Sequence, residues 1–129
     1  EARAACPHWA DVDTVLPVPL HWWRKWQRGY NQAEVIAAEL ASALGARLRT
    51  DVLFKVRRTR SQTSLEADAR LKNVQGVFAL RHAFPTQHVL LVDDTFTTGA
   101  TLSACYWAVR QALGPAVRIS IATLAVVEA

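Results

Sequence analysis

The stretch VLLVDDTFTTGATL, residues 89–102, decides the architecture. Its first four residues are branched and apolar, the composition of a strand buried on both faces of a parallel sheet. Asp93 and Asp94 then emerge together at the strand's carboxyl end, and a loop with the hydroxyls of Thr95, Thr97, Thr98 and Thr101 around Gly99 follows at once. Adjacent carboxylates repel and need a reason to be held close. One reading is structural: an aspartate caps the following helix, and the threonines form its turn. The other is a ligand with hydroxyls or a metal at one end and a phosphate at the other. Backbone N–H groups at a helix N-terminus bind phosphate, and the dipole there adds roughly 0.3 to 2 kcal/mol for an anion.

Working outward, TVLPVPL (residues 14–20) predicts a buried strand ended by its prolines, which cannot donate to a sheet ladder. HWWRKWQRGY (21–30) is a basic, aromatic loop. NQAEVIAAELASAL predicts a helix over 31–44, with a stripe of Ala33, Ile36, Ala37, Leu40 and Leu44 and a stop at Gly45. Residues 47–56 predict a second strand, 76–81 a third, 88–94 a fourth and 117–127 a last one. TLSACYWAVRQAL (101–113) predicts a helix facing the core with Leu102, Tyr106, Val109 and Leu113 and halted by Gly114-Pro115. Strands alternating with helices make this an α/β domain with a mainly parallel sheet, and in such sheets ligands sit at the carboxyl ends of the strands. The opening stretch lies at one.

At 129 residues, 51% apolar and 20% charged, the chain suits one domain with a single core. Its apolar runs fall short of the roughly 20 residues needed to cross a bilayer, and no signal pattern opens it, so a soluble, cytoplasmic protein is expected. Cys6 and Cys105 lie outside any CxxC or His-rich spacing, and two isolated thiols suit a reducing compartment. A start at Glu1 rather than Met predicts that the native start lies upstream. Net charge is +4, and Arg47 to Lys72 holds eight basic residues against three acidic ones, more than the whole excess. Such a segment attracts phosphorylated molecules or nucleic acid. RRTRSQTSLEADARLKNVQ, within it, is too polar for core and predicts a long loop or mobile flap.

Neither GxxxxGK[ST] nor DxDxT occurs, which removes a P-loop ATPase and a DxDxT phosphatase. What remains is a site where carboxylates face ribose-like hydroxyls or a metal while the loop holds a phosphate. VLLVDDTFTTGATL resembles the phosphoribosyl pyrophosphate (PRPP) signature of type I phosphoribosyltransferases. The resemblance implies that Asp93 and Asp94 contact the ribose hydroxyls and serve, indirectly, a Mg²⁺ ion, and that Thr97, Thr98, Gly99, Ala100 and Thr101 wrap the 5-phosphate. Phe96 stands where that family usually has an aliphatic residue.

PVPLHWWRKWQRGYNQAEVIAAELA, together with Arg60, Gln62, Arg70, Asn73 and Phe78, is similar to the ComF family. Together the matches span most of residues 14–102. Full-length members usually carry an upstream four-cysteine zinc module, which this chain does not contain. The same resemblance implies that the loop from Pro17 to His21, with Pro19 and Leu20, faces the pyrophosphate and that residues 55–72 form the closing flap. Displacing pyrophosphate from the anomeric carbon builds an oxocarbenium-like centre and releases a polyanion, which calls for Mg²⁺, arginines and exclusion of water. Arg28, Arg58, Arg60 and Arg70 are candidates, against the plain reading of a solvated basic face.

Two functions stay open at this stage. The first is an enzyme, a Mg²⁺-dependent phosphoribosyltransferase. The second is a competence protein that takes up DNA and binds PRPP without turnover, or a PRPP-sensing regulator. In the second, Trp22, Trp23 and Trp26 interleave with Arg24, Lys25 and Arg28 to stack single-stranded bases, against the favoured plain reading of aromatics packed under the loop. The partners to expect are PRPP or a related ribose 5-phosphate, single-stranded DNA, and a second copy or another competence protein, with no membrane insertion. In RGYNQ (28–32), Asn31 is either a helix N-cap or a ligand contact. His8, His21, His82 and His88 read as surface or turn residues, and no acceptor-binding signature is found.

Overall fold

The computed structural model describes residues 7–20, 29–56, 77–96 and 99–126. After a 3-10 turn at Pro7–Trp9, strand β1 (Thr14–Pro17) leads by way of residues 18–31 to helix α1 (Gln32–Leu44). Strands β2 (Arg47–Leu48), β3 (Leu53–Lys55), β4 (Phe78–Leu80) and β5 (His88–Phe96) follow, then helix α2 (Ala100–Leu113) and β6 (Arg118–Val126). Among the described residues, one parallel sheet runs in the order β2-β1-β5-β6, and β3 and β4 pair antiparallel in a second.

Side chains alternate across β5, which is why the sheet can be covered on both faces. Val89 and Leu91 join Leu16 of β1 in a cluster with Leu102, Cys105 and Val109 of α2 and with Phe78 and Phe84. Leu90 and Val92 join Val15 and Ala122 in a second cluster, with Ala37, Ala41 and Leu44 of α1. All four apolar residues of VLLV are fully buried. At roughly 1.5 to 3 kcal/mol for each such side chain, this strand is the centre of the core.

Helix α1 begins where expected because the Asn31 side chain accepts from the Ala33 amide at 3.0 Å. It ends at Gly45, whose N–H reaches the carbonyls of Ala41 and Ser42. Its deepest residues are Ala33, Ala37, Ala41 and Leu44, while Ile36 and Leu40 of the expected stripe sit at the margin. Small side chains under the axis let the helix lie close to the sheet, and the larger ones wedge along its sides. Helix α2 behaves alike: Ala104, Cys105 and Ala108 are buried, with Tyr106 and Leu113 at the edge.

The strand expected over 47–56 is two strands in different sheets. Thr50 and Asp51 form a bend between them, after which β3 leaves the parallel sheet to pair with β4 on the α2 side. Both residue types favour turns by bonding local backbone groups, which stops the ladder there. Among the described residues no helix is long and apolar enough to cross a membrane.

Candidate functional site

In a parallel sheet all carboxyl ends lie together, so the register of β1 on β5 places the exit of β1 beside the aspartates. Pro17 pairs with Val92, and the Val18 amide donates to the Val92 carbonyl at 2.8 Å. Pro19 and Leu20, half-buried, therefore leave the sheet next to Asp93 and Asp94. Asn31 fixes this corner from the other side: its Nδ2 donates to the Val18 carbonyl at 3.0 Å while its Oδ1 caps α1. Both ends of this buried amide are used, so Asn31 is a helix cap and a brace for the β1 exit. Tyr30, just before it, is largely exposed.

The strand does not stop at the aspartates as expected but continues to Phe96. Asp93 follows Val89 and Leu91 on the α2 side, and Asp94 follows Leu90 and Val92 on the α1 side. Both are half-buried, and the Asp94 amide donates to Asp93 Oδ1 at 2.8 Å. Burial pushes the Asp93 carboxyl up to about 6; the Asp94 amide opposes this, while the Asp94 carboxyl adds to it. Burial of Asp93 is thus the leading cause, and the neighbouring carboxylate adds to it.

Gly99 occupies the N-cap of α2 at φ 80°, a left-handed conformation that residues with a Cβ rarely adopt. The N-cap residue is thus a glycine, which brings no side chain of its own to the first-turn amides. Ala100 and Thr101, both exposed, form the first turn of the helix. The structure thus brings Asp93, Asp94, Gly99, Ala100, Thr101, Pro19 and Leu20 to one end of the sheet. Thr97, Thr98, Arg28, Arg58, Arg60 and Arg70 lie outside the described residues, as do Trp22, Trp23 and Trp26. Among the described residues no group of three or more His, Cys, Asp or Glu side chains could hold a metal ion. The aspartate pair supplies two carboxylates, which fits Mg²⁺ held with the help of a ligand's own phosphates.

The opposite, amino-terminal end of the sheet carries polar residues that sequence reasoning missed. His88 is fully buried, not a surface or turn histidine. Its Nδ1–H donates to Asp11 at 2.7 Å and its Nε2 meets the Ser120 hydroxyl at 2.7 Å. Arg118 closes on the other Asp11 oxygen at 2.7 Å. The His88 bond, with lesser help from Arg118, holds the Asp11 carboxyl below the usual range. Beside it, Asp13 accepts from the Thr14 and Thr86 hydroxyls and from the amides of Gln87 and His88. Burial works against its charge, and these bonds together outweigh burial and lower its pKa. The signal for His88 was its place at the head of an otherwise apolar buried strand.

Competence protein F of Haemophilus influenzae is 37% identical to the chain over 94 residues, covering 70% of this chain and 41% of that protein. The chain belongs to the ComF family. The DNA utilization protein YhgH of Salmonella typhi is 35% identical over 91 residues, 70% of the ComF chain and 40% of its own length. The matched part thus spans about two fifths of these relatives. No protein-family model matches the chain. Among solved structures, the allosteric regulatory enzyme of purine biosynthesis aligns with a TM-score of 0.54 at 22% identity, over 85% of the ComF chain and 22% of that chain. An orotate phosphoribosyltransferase from Aeropyrum pernix aligns with a TM-score of 0.48 at 16% identity, over 92% and 62% of the two chains. The fold is the type I phosphoribosyltransferase fold.

Proposed function

We propose that this ComF domain binds PRPP at the carboxyl end of β5 and carries out Mg²⁺-dependent phosphoribosyl transfer in the cytoplasm. The observation that carries the reading is the half-buried pair Asp93–Asp94, followed within one short loop by a helix whose entrance is a left-handed glycine. One ligand with ribose hydroxyls and a 5-phosphate satisfies both parts. Asp93 and Asp94 accept from the hydroxyls, and the loop from Thr97 to Thr101 receives the phosphate. Pro19 and Leu20 border the pyrophosphate side, and Arg28, Arg58, Arg60 and Arg70 are the cations to neutralise it. Mg²⁺, when bound, draws charge from the departing pyrophosphate.

Calorimetric titration with PRPP and Mg²⁺ tests this. Binding by the wild type and at least a tenfold loss in Asp94→Asn is expected; no heat from either protein would sink the reading.

A second reading rests on the relatives' names, Competence protein F and DNA utilization protein. Here the domain contacts single-stranded DNA through Trp22, Trp23 and Trp26, alone or with a second copy or another competence protein. Salt-dependent binding of a labelled oligonucleotide that Trp22→Ala weakens supports it. A flat titration at low salt rejects it.

A further inference from the structure

The amino-terminal end of the sheet holds a cleft of about 370 Å³ whose lining includes Asp13, Arg47, Arg49, Thr86 and Gln87. Its size is within the range of small-ligand sites. It lies at the entrance of β5, whereas the aspartate pair lies near the exit. At about 3.3 Å per residue along the strand, the two regions are about 20 Å apart.

We propose that this cleft is a second anion site, built for the phosphate group of a small phosphorylated ligand. Three observations carry it. First, the cleft is net positive, with Arg47 and Arg49 against the one carboxylate of Asp13. Asp13 is fully engaged by two hydroxyls and two backbone amides. Among the described residues neither Arg47 nor Arg49 forms an ion pair, the salt bridges being those of Asp11 with His88 and Arg118.

Second, Arg49 is held ready. Its guanidinium carbon lies 4.4 Å from the centroid of the buried Phe84 ring, which fixes the plane of the group and strips water from one face. Its Nε is buried with no acceptor among the described residues. Buried donors without partners are rare in folded proteins, and each calls for an acceptor.

Third, Arg47 and Arg49 are alternate residues along one extended segment and so share a side. Their backbone amides are pinned to β1 and the residue before it, Arg47 to the Asp13 carbonyl at 2.9 Å and Arg49 to the Val15 carbonyl at 3.0 Å. Two forked cations on a fixed edge suit the several oxygens of a phosphate. The exposed Gln87 side chain adds donors at the mouth.

The test is titration of the ¹⁵N-labelled chain with inorganic phosphate and, separately, AMP, followed by amide shifts. Saturable shifts at Arg49, Thr86, Gln87 and His88 are expected, with affinity reduced about tenfold in Arg49→Gln and in the exposed variant Arg47→Gln. Asp94→Asn leaves these shifts unchanged, which separates this cleft from the aspartate end whatever binds there. If those amides stay still up to about 20 mM of both probes, or if Arg47→Gln and Arg49→Gln bind as wild type does, the proposal is overturned.

Discussion

A carboxyl group pushed up to about 6 by its surroundings makes Asp93 the residue whose state the solvent controls. In the ligand-free fold it binds a proton more tightly than in the unfolded chain, whose value is near 3.8. Stability therefore declines as pH rises between those two values and stays lower above them. Asp93→Asn keeps an acceptor for the Asp94 amide while removing the charge. It should raise ligand-free stability by about 1 kcal/mol at pH 7, a figure discounted for partial exposure, and flatten the slope of stability between pH 4 and pH 6 in urea titrations. If PRPP binds as proposed, its affinity should fall about tenfold for each pH unit below 6, because a protonated Asp93 loses its charge. Calorimetry across that range measures this, and a flat profile would separate Asp93 from the ligand. Asn31 works by geometry instead. Asn31→Ala removes the α1 cap and strands the Val18 carbonyl, so a loss of about 2 to 3 kcal/mol in thermal unfolding is expected.

Among the elements, those whose identity is written locally were legible. β5 was marked by VLLV, α1 by its stripe and the Asn31 and Gly45 ends, and α2 by its stop at Gly114. Legibility failed where the answer depends on partners distant in sequence. RLRTDVLFKV has strand composition throughout, but its two halves join different sheets because Leu53 to Lys55 find β4, more than twenty residues later. His88 was misread for the same reason: its partners are Asp11 and Ser120, one from before β1 and one from β6. In the site, residue types and order announced the acid pair near the end of the strand and the helix that follows Gly99. The shift at Asp93 was not legible, because it comes from burial by neighbouring elements. Gly114 ends α2 at φ 91° with open space where a Cβ would stand, so the cost of a substitution there is one of backbone conformation alone. Gly114→Ala should lower the thermal midpoint by the equivalent of about 1 to 2 kcal/mol.

At the scale of the molecule, the parallel sheet acts as a ruler with chemistry at both ends. Val89, Leu90, Leu91 and Val92 of β5 each pack in one of two clusters, one under α1 and one under α2. Leu91→Ala opens a cavity in the larger cluster without touching a polar group. A destabilisation of about 2 to 5 kcal/mol by denaturant unfolding is expected. A loss below about 1 kcal/mol would mean that the α2 layer collapses to fill the space. The aspartates share that strand, which is flanked by β1 on one side and β6 on the other. A strand enclosed in this way has no frayed edge from which to peel, so its amide protons trade with solvent only when the whole domain opens. That protection reaches Val92, where the pairing with β1 ends; among the described residues, the backbone beneath the carboxylate pair is tied to β6 alone and is open on the β1 side.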